Sequence, residues 1–368
     1  MKFTCERDDL LKEISIAQEI ISSRNVLSIL SNVYLKAEED TLTIRATDLK
    51  VGFETRIPIE VSIPGSTTVF CDKFLGILRS LPTGEIEFEL AENMLLNIRP
   101  IFKKINFQLK SISSEKYPEI QSIQDESYFE FSQRDFIEMI ASTIFAISDD
   151  ETRYFMNGVY LEKLEDHLIM VASDGRRLSF ISKAVDPDIP DIKGTIIPPK
   201  ILNMLRKLLP GEGNLSLSFT DKNIFARFGN HRISSSLIDG QFPNYQRVIP
   251  QSQEYRLVVQ KDLLESALKR VSLLVEQKSR RIFLKVGENN LIVTSEESEI
   301  GMAEEEVPCQ YSGPEDAIAL NYLYLSEPLR EIAEKDVSIE FTETAKAVTL
   351  KSVPEKDYLH IIMPMQTK

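Results

Sequence analysis

Apolar residues recur at i, i+3 and i+4 in three well-separated stretches: DDLLKEISIAQEII from Asp8, RDFIEMIASTIFAI from Arg134 and KDLLESALKRVSLL from Lys261. That period lays one apolar stripe along a helix. Elsewhere the pattern switches to alternation. LTIRA (Leu42 to Ala46), EIEFEL (Glu85 to Leu90) and VSIEF (Val337 to Phe341) put every second side chain on one face, as half-buried strands do. A short strand pattern precedes each helical stretch, at Lys2 to Cys5, Tyr128 to Phe131 and Tyr255 to Val259. Second helices are expected to start near Asp72, Pro199 and Asn321. A turn is expected at Glu38 to Asp40.

These elements recur because the chain repeats itself. VYLKAEEDTLTIRATD from Val33 matches VYLEKLEDHLIMVASD from Val159 at Val, Tyr, Leu, Asp, Leu, Ala and Asp, with a constant offset of 126. A fainter copy, IFLKVGENNLIVTSEE, begins at Ile282. DKFLGILRSLP (Asp72 to Pro82) resembles PKILNMLRKLLP (Pro199 to Pro210), and Tyr117-Pro118 pairs with Phe242-Pro243 at an offset of 125. Collinear matches at nearly one offset imply three copies of a unit of roughly 120 residues, an ordinary domain size. The predicted domains are residues 1–122, 127–250 and 253–368, with linkers near 113–127 and 250–254 where Pro, Ser, Gln and Glu collect. The fold class is α+β, each domain carrying two helices packed on antiparallel sheets of about eight strands in all.

Composition changes the picture in one respect. The 57 Asp and Glu exceed the 43 Lys and Arg, for a net charge of −14. Taken alone, that sign argues against a nucleic-acid binder, because phosphate contacts need cations. The opening MKFTCERDDL carries charges where a secretion signal needs apolar residues, and no apolar run is long enough to span a bilayer. A cytoplasmic location is expected. Cys5, Cys71 and Cys309 are far apart and form no C-x-x-C pair, so they read as small apolar residues.

Catalytic signatures are missing. There is no G-x-x-x-x-G-K-[ST] loop and no G-x-S-x-G elbow. Gly211-Glu-Gly213 precedes a strand and reads as a turn. His167, His231 and His360 are scattered, with no partner at metal-ligand spacing. Asp48 and Asp174 recur between repeats, which a structural turn explains better than catalysis. No enzyme activity, cofactor or metal is expected.

Charge is arranged locally, however. In the second helix of the first repeat, Lys73, Gly76, Arg79 and Ser80 are the polar or small positions; in the second repeat Lys200, Asn203, Arg206 and Lys207 take the same phases. The third repeat's first helix carries Lys261, Lys269 and Arg270. Ordinary solvated faces would look similar, but the basic phase recurs while the acidic excess sits elsewhere, at residues 38–40, 296–299 and 304–306. Such a chain can present a positive lining and a negative exterior, and local field decides contact with a polyelectrolyte.

Six segments in order, MKFTCERDDLL, VYLKAEEDTLTIRATDL, TRYFMNGVYLE, VASDGRRLSF, LIDGQFPNYQRVIP and HIIMPM, resemble the bacterial sliding clamps, the beta subunits of DNA polymerase III holoenzyme. The resemblance spans Met1 to about Met365. It implies a ring-shaped, head-to-tail homodimer that encircles double-stranded DNA without sequence preference. It implies tethering of the replicative polymerase, the clamp loader and repair and translesion polymerases through short linear motifs. DNA-facing residues would include Arg24, Lys73, Arg79 and Lys200. The motif pocket would comprise Arg153, Phe155, Met156, Ser173, Gly175, Arg176, Arg177, Leu178, Pro243, Arg247, Val248, Asn321, Tyr324, Ala345, Ala347, Met363, Pro364 and Met365. Met156, Leu178, Val248 and Met363 suit a leucine or phenylalanine, and Arg153, Arg177 and Arg247 suit polar or acidic flanks. The dimer contact would join Phe107 and Leu109 to Leu273 and Leu274. Arg176 stands where many relatives have His, Ala345 and Ala347 replace residues often larger or polar, and the chain ends Gln-Thr-Lys. Two other readings stay open: a repeat-built scaffold that holds partners without encircling DNA, and an enzyme with an unrecognised site.

Overall fold

The computed structural model describes residues 1–21, 29–121 and 128–366. They form two compact units. The first contains Met1–Phe131 and Gly213–Leu237. Its antiparallel sheet runs, strand beside strand, from Phe129–Ser132 through Asn214–Phe219, Asn223–Phe228, His231–Ser236, Val51–Pro58, Thr41–Thr47, Asn32–Glu38, Gly65–Phe70, Phe107–Ile112, Leu95–Pro100, Glu85–Leu90 and Lys2–Glu6 to Glu60–Ile63. Helices α1 (Arg7–Ile20) and α2 (Cys71–Ser80) pack on each other, and α1 also packs on Thr41–Thr47 and Val51–Pro58. The apolar stripe read from the sequence is the buried one: Leu10, Ile14, Ala17 and Ile20 of α1, Phe74, Leu75 and Leu78 of α2. Phe88 stacks on Phe3 at 4.9 Å and meets Phe74 edge-on at 6.0 Å, which fixes strand and helix together.

Residues 213–237 lie in the second repeat by sequence but pack with the first. The cause is strand pairing: His231 to Ser235 register antiparallel against Thr55 to Val51, so one sheet continues across the repeat boundary. Pairing closes an edge that would otherwise expose unsatisfied backbone groups.

The second unit contains Ser132–Glu212 and Ile238–Lys368. Its sheet runs Thr195–Ile197, Val159–Leu164, His167–Ser173, Arg177–Ala184, Tyr358–Ile362, Val348–Val353, Asp336–Phe341, Tyr255–Gln260, Glu304–Gln310, Asn290–Ser295, Arg281–Gly287, Asp316–Asn321. The join is again between repeats, with Arg177 to Ile181 against Ile362 to Tyr358. Helix α3 (Gln133–Ala141) packs on α4 (Pro199–Leu208), and α5 (Lys261–Val271) on α6 (Tyr322–Glu331). Pro at the first position of α4 and Asn321 capping the Leu323 N–H at 3.0 Å start their helices where the sequence signals them. The turn at Glu39-Asp40 has positive φ at both residues, the geometry that suits a two-residue hairpin.

Candidate functional site

The two recurring aspartates are turn residues. The Asp48 carboxylate accepts the Lys50 and Val51 N–H groups at 2.9 and 2.7 Å; the Asp174 carboxylate accepts those of Arg176 and Arg177 at 2.8 and 3.0 Å. The second turn opens a pocket. Gly175 sits at φ +87°, a backbone conformation that glycine adopts without strain, and a Cβ there would lie 2.8 Å from Arg153 Nη1 and push that side chain aside. Ser173 Oγ accepts the Gly175 N–H at 3.1 Å and donates to the Arg177 carbonyl at 2.7 Å, which closes the turn.

Beneath it lies an apolar floor. Met156 and Leu178 are buried. Leu178 packs with Ile169, Val171, Phe242, Tyr245 and Ile361, and Phe155 and Ala347 lie against this cluster. Pro243 follows Phe242 on the exposed rim. A second, open cavity is lined by Arg176, Asn321, Tyr324, Met363, Pro364 and Met365. The two parts adjoin: the Met363 N–H donates to the Arg176 carbonyl at 2.8 Å, and the Arg177 guanidinium lies 4.5 Å from the Tyr324 ring centre. Met363 is half-exposed, as is Val248. Arg247 and Ala345 are exposed on the loops that carry Val248 and Ala347, outside the lining of the open cavity.

Arg177 departs from its expected role. Its side chain is only 8% exposed, and its guanidinium is bonded to Asp174 at 3.1 Å, to Glu327 and to the Phe145 carbonyl. It pins α6 to the turn, with all three guanidinium nitrogens engaged inside the protein and little exposure left for a peptide flank. Arg153 is half-committed, with Nε on Asp150 at 3.0 Å. The sequence reading missed the far wall of the open cavity, Gln277, Lys278, Ser279 and Arg280. Its one signal was a run of cations, Lys278, Arg280 and Arg281, in an acidic chain.

His360 lies under this site, fully buried, opposite Ser179 in the sheet and 5.5 Å from the Phe145 ring. Burial, and then the Arg177 cation, hold its imidazole down at about 3; a backbone contact with Tyr324 offsets part of this. The unfolded chain binds that proton near pH 6.5 and the folded chain does not. Stability contributed by the neutral ring is therefore full above pH 6.5 and falls as pH drops toward 3. Between pH 6.5 and 4 the loss is about 3 kcal/mol. His360→Leu is expected to flatten that segment of the urea-midpoint profile; an unchanged slope places the acid sensitivity elsewhere.

The basic helix faces are exposed as their phase requires. Lys73, Gly76 and Arg79 point outward on α2, and Asn203, Arg206 and Lys207 on α4, with Lys200 half-exposed at its start. Three cations differ from expectation. Arg206 is paired with Glu331 at 3.1 Å, Arg270 with Glu305 at 2.7 Å, and the Lys261 ammonium donates to the Ile332 carbonyl at 2.9 Å. Neutralisation by a neighbouring carboxylate weakens their pull on a phosphate. Arg24 lies outside the described residues.

Besides the end strands of each sheet, two inner strands are paired along only part of one edge among the described residues. Phe107–Ile112 is paired with Leu95–Ile98 on one side, but on the other only Ser111 and Ile112 have partners, Val69 and Thr68. Phe107 and Leu109 share its half-buried face. Glu304–Gln310 is paired along Asn290–Thr294, but only Cys309 and Gln310 are paired on its other side. Beside that edge, Leu273 is 80% exposed and Ile300 is 81% exposed. The Cys5 and Cys71 thiols are pushed up to about 12 by burial, which leaves them inert as nucleophiles at neutral pH.

Comparison with known proteins agrees along the whole chain. Family models described as the N-terminal, central and C-terminal domains of the DNA polymerase III beta subunit match residues 1–121, 130–244 and 246–366. The Beta sliding clamp of Treponema pallidum (strain Nichols) is 48% identical, and that of Escherichia coli (strain K12) 32% identical, each over 100% of both chains. A crystal structure of the C. crescentus beta sliding clamp is 30% identical and superposes with a TM-score of 0.94 over 100% of this chain and 99% of that one. With three clamp-type domains, mixed helices and antiparallel sheets, and full-length likeness to these proteins, the chain belongs to the bacterial DNA sliding clamps, the beta-subunit family of DNA polymerase III.

Proposed function

We propose that two copies of this chain close head to tail into a ring around duplex DNA, slide along it, and tether polymerase, clamp loader and repair proteins through the pocket on the second and third domains. The domains in this reading are residues 1–122, 127–250 and 253–368. The ring works in the cytoplasm as a processivity factor and performs no chemistry. Among the described residues no helix is long and apolar enough to cross a membrane.

The observation that carries the tethering is the joined pocket: a glycine turn over Met156 and Leu178, linked by the Arg176–Met363 backbone bond to a cavity lined by Tyr324, Met363 and Met365. Methionines adapt to varied partners. Few cations are needed on the DNA side. A closed ring is retained by topology, and strong phosphate contacts would only slow sliding. Lys73, Arg79, Lys200 and Lys207 supply a weak guiding field, and the net charge of −14 then poses no contradiction.

The test separates topology from affinity. The protein is loaded on nicked circular DNA with its loader and ATP, the complex is isolated, and the DNA is cut once with a restriction enzyme. The ring is expected to stay on circles and run off linear ends. Equal loss from both, or salt-controlled binding to both, would refute encirclement and favour a scaffold that holds partners without enclosing DNA.

A further inference from the structure

We infer that Lys278 and Arg280, which line one cavity with Arg176, form a subsite for an acidic stretch of the partner peptide. This rests on the pocket reading above and names the partner's chemistry beside the apolar anchor.

Three observations carry it. The first is position: Lys278 and Arg280 line the same cavity as Tyr324, Met363 and Met365, so a chain seated on the methionines passes beside them. The second is charge. Arg176, Lys278 and Arg280 are exposed, and among the described residues none forms an ion pair, in a chain with 57 carboxylates and 43 Lys and Arg. Of the anions nearby, Asp174 and Glu327 hold Arg177 and Glu296 holds Arg281 at 2.6 Å, while exposed Glu276 forms no ion pair with Lys278 or Arg280. Three cations without ion pairs around one cavity attract an anion. The third is preorganisation. The Arg280 N–H donates to the Glu276 carbonyl at 2.8 Å, and the Arg280 carbonyl accepts the Tyr322 N–H at 3.0 Å, so this loop is tied both to itself and to the start of α6. Arg280 is held at φ +53° by these bonds. A fixed loop loses little entropy when a ligand binds.

An acidic peptide fits better than a nucleic-acid strand. The cavity sets its cations and the amides of Gln277, Asn321 and Gln366 beside Met363, Pro364 and Met365, and one face of its aromatic ring, Tyr324, is covered by the Arg177 guanidinium. A base would find a poor stacking platform.

The experiment uses the full-length protein and fluorescent synthetic peptides sharing a Leu-Phe core. One carries Glu-Asp-Glu before the core, one carries it after, and one has Gln-Asn-Gln on both sides. One acidic peptide is expected to bind about tenfold more tightly than the neutral one at low salt, the scale that two or three exposed ion pairs supply. Lys278→Gln with Arg280→Asn, chosen because Asn tolerates positive φ, is expected to erase that advantage, bringing the acidic and neutral peptides to equal affinity. Equal affinity of all three peptides for the unaltered chain overturns the acidic subsite while the pocket stands. An advantage that survives both substitutions also overturns it. If a single-stranded oligonucleotide loses binding through these substitutions and the acidic peptide does not, the wall serves nucleic acid instead. If no peptide binds, the pocket reading fails and this inference falls with it.

Discussion

Arg177→Ala is expected to destabilise the second unit by about 3–5 kcal/mol, the range for removing one partner of a buried ion pair. The guanidinium is 8% exposed, and Asp174 beside it only 15%. Its loss strands two carboxylates and the Phe145 carbonyl, and removes the cation from the Tyr324 face. An exposed pair would contribute at most about 1 kcal/mol, so the size of the effect reports burial. Hydrogen exchange is the measurement. Amides of Arg177–Ala184 and Tyr358–Ile362, the strands that join the second and third repeats, should lose protection together. Peptide affinity should fall with them, because the turn at Gly175 and the start of α6 are held by the same side chain. Pairing Arg177→Met with Glu327→Gln removes one stranded charge and should recover part of the stability. A loss below 1 kcal/mol in the single variant means that water already reaches these groups.

Much of the fold was legible because its signals are local. The 3.6-residue stripe marked α1, α3 and α5, and the 2-residue alternation marked Glu85–Leu90 to the residue. The repeat separated structure from chemistry: an aspartate that returns at Asp48 and Asp174 holds the same backbone turn twice. What stayed hidden is long-range pairing. Nothing near Val51 or His231 says that their strands share a sheet, since a strand's pattern reports which face is buried and not which neighbour it pairs with. That is why residues 213–237 join the first unit unannounced. The pocket was legible only through family likeness. Its residues come from six separated segments, and none of them is unusual alone. Arg177 shows the limit of reading by residue type: a cation placed well for a peptide is spent on Glu327, 150 positions away. Charge on the helix faces was read correctly in phase but overcounted, because Glu331 and Glu305 arrive from other elements to neutralise Arg206 and Arg270.

Leu273→Ala combined with Leu274→Ala is expected to convert the ring to monomers at micromolar concentration. The argument begins with an apolar surface that has no partner within its own unit. Leu273 and Ile300 are 80% and 81% exposed, and a Cβ on Gly301 would lie 3.8 Å from Leu274 Cδ1, so these residues form one patch. The adjoining strand edge carries Glu304, Glu305 and Glu306. The open edge at Phe107 to Lys110 in the first unit has matching character, with Phe102 83% exposed nearby and Lys103, Lys104 and Lys110 around it. Edge pairing between copies would satisfy both backbones, cover both apolar patches and set cations against carboxylates. Truncating a buried leucine costs about 2 kcal/mol or more. Two leucines give about 4 kcal/mol per interface on the same scale. A two-fold ring has two identical interfaces, so the ring loses about 8 kcal/mol, or between five and six orders of magnitude in dissociation constant. Sedimentation velocity reads this directly. A monomer with unchanged circular dichroism supports the assignment. A dimer that persists at micromolar concentration removes Leu273 and Leu274 from the contact and leaves the two open edges without the partner proposed for them.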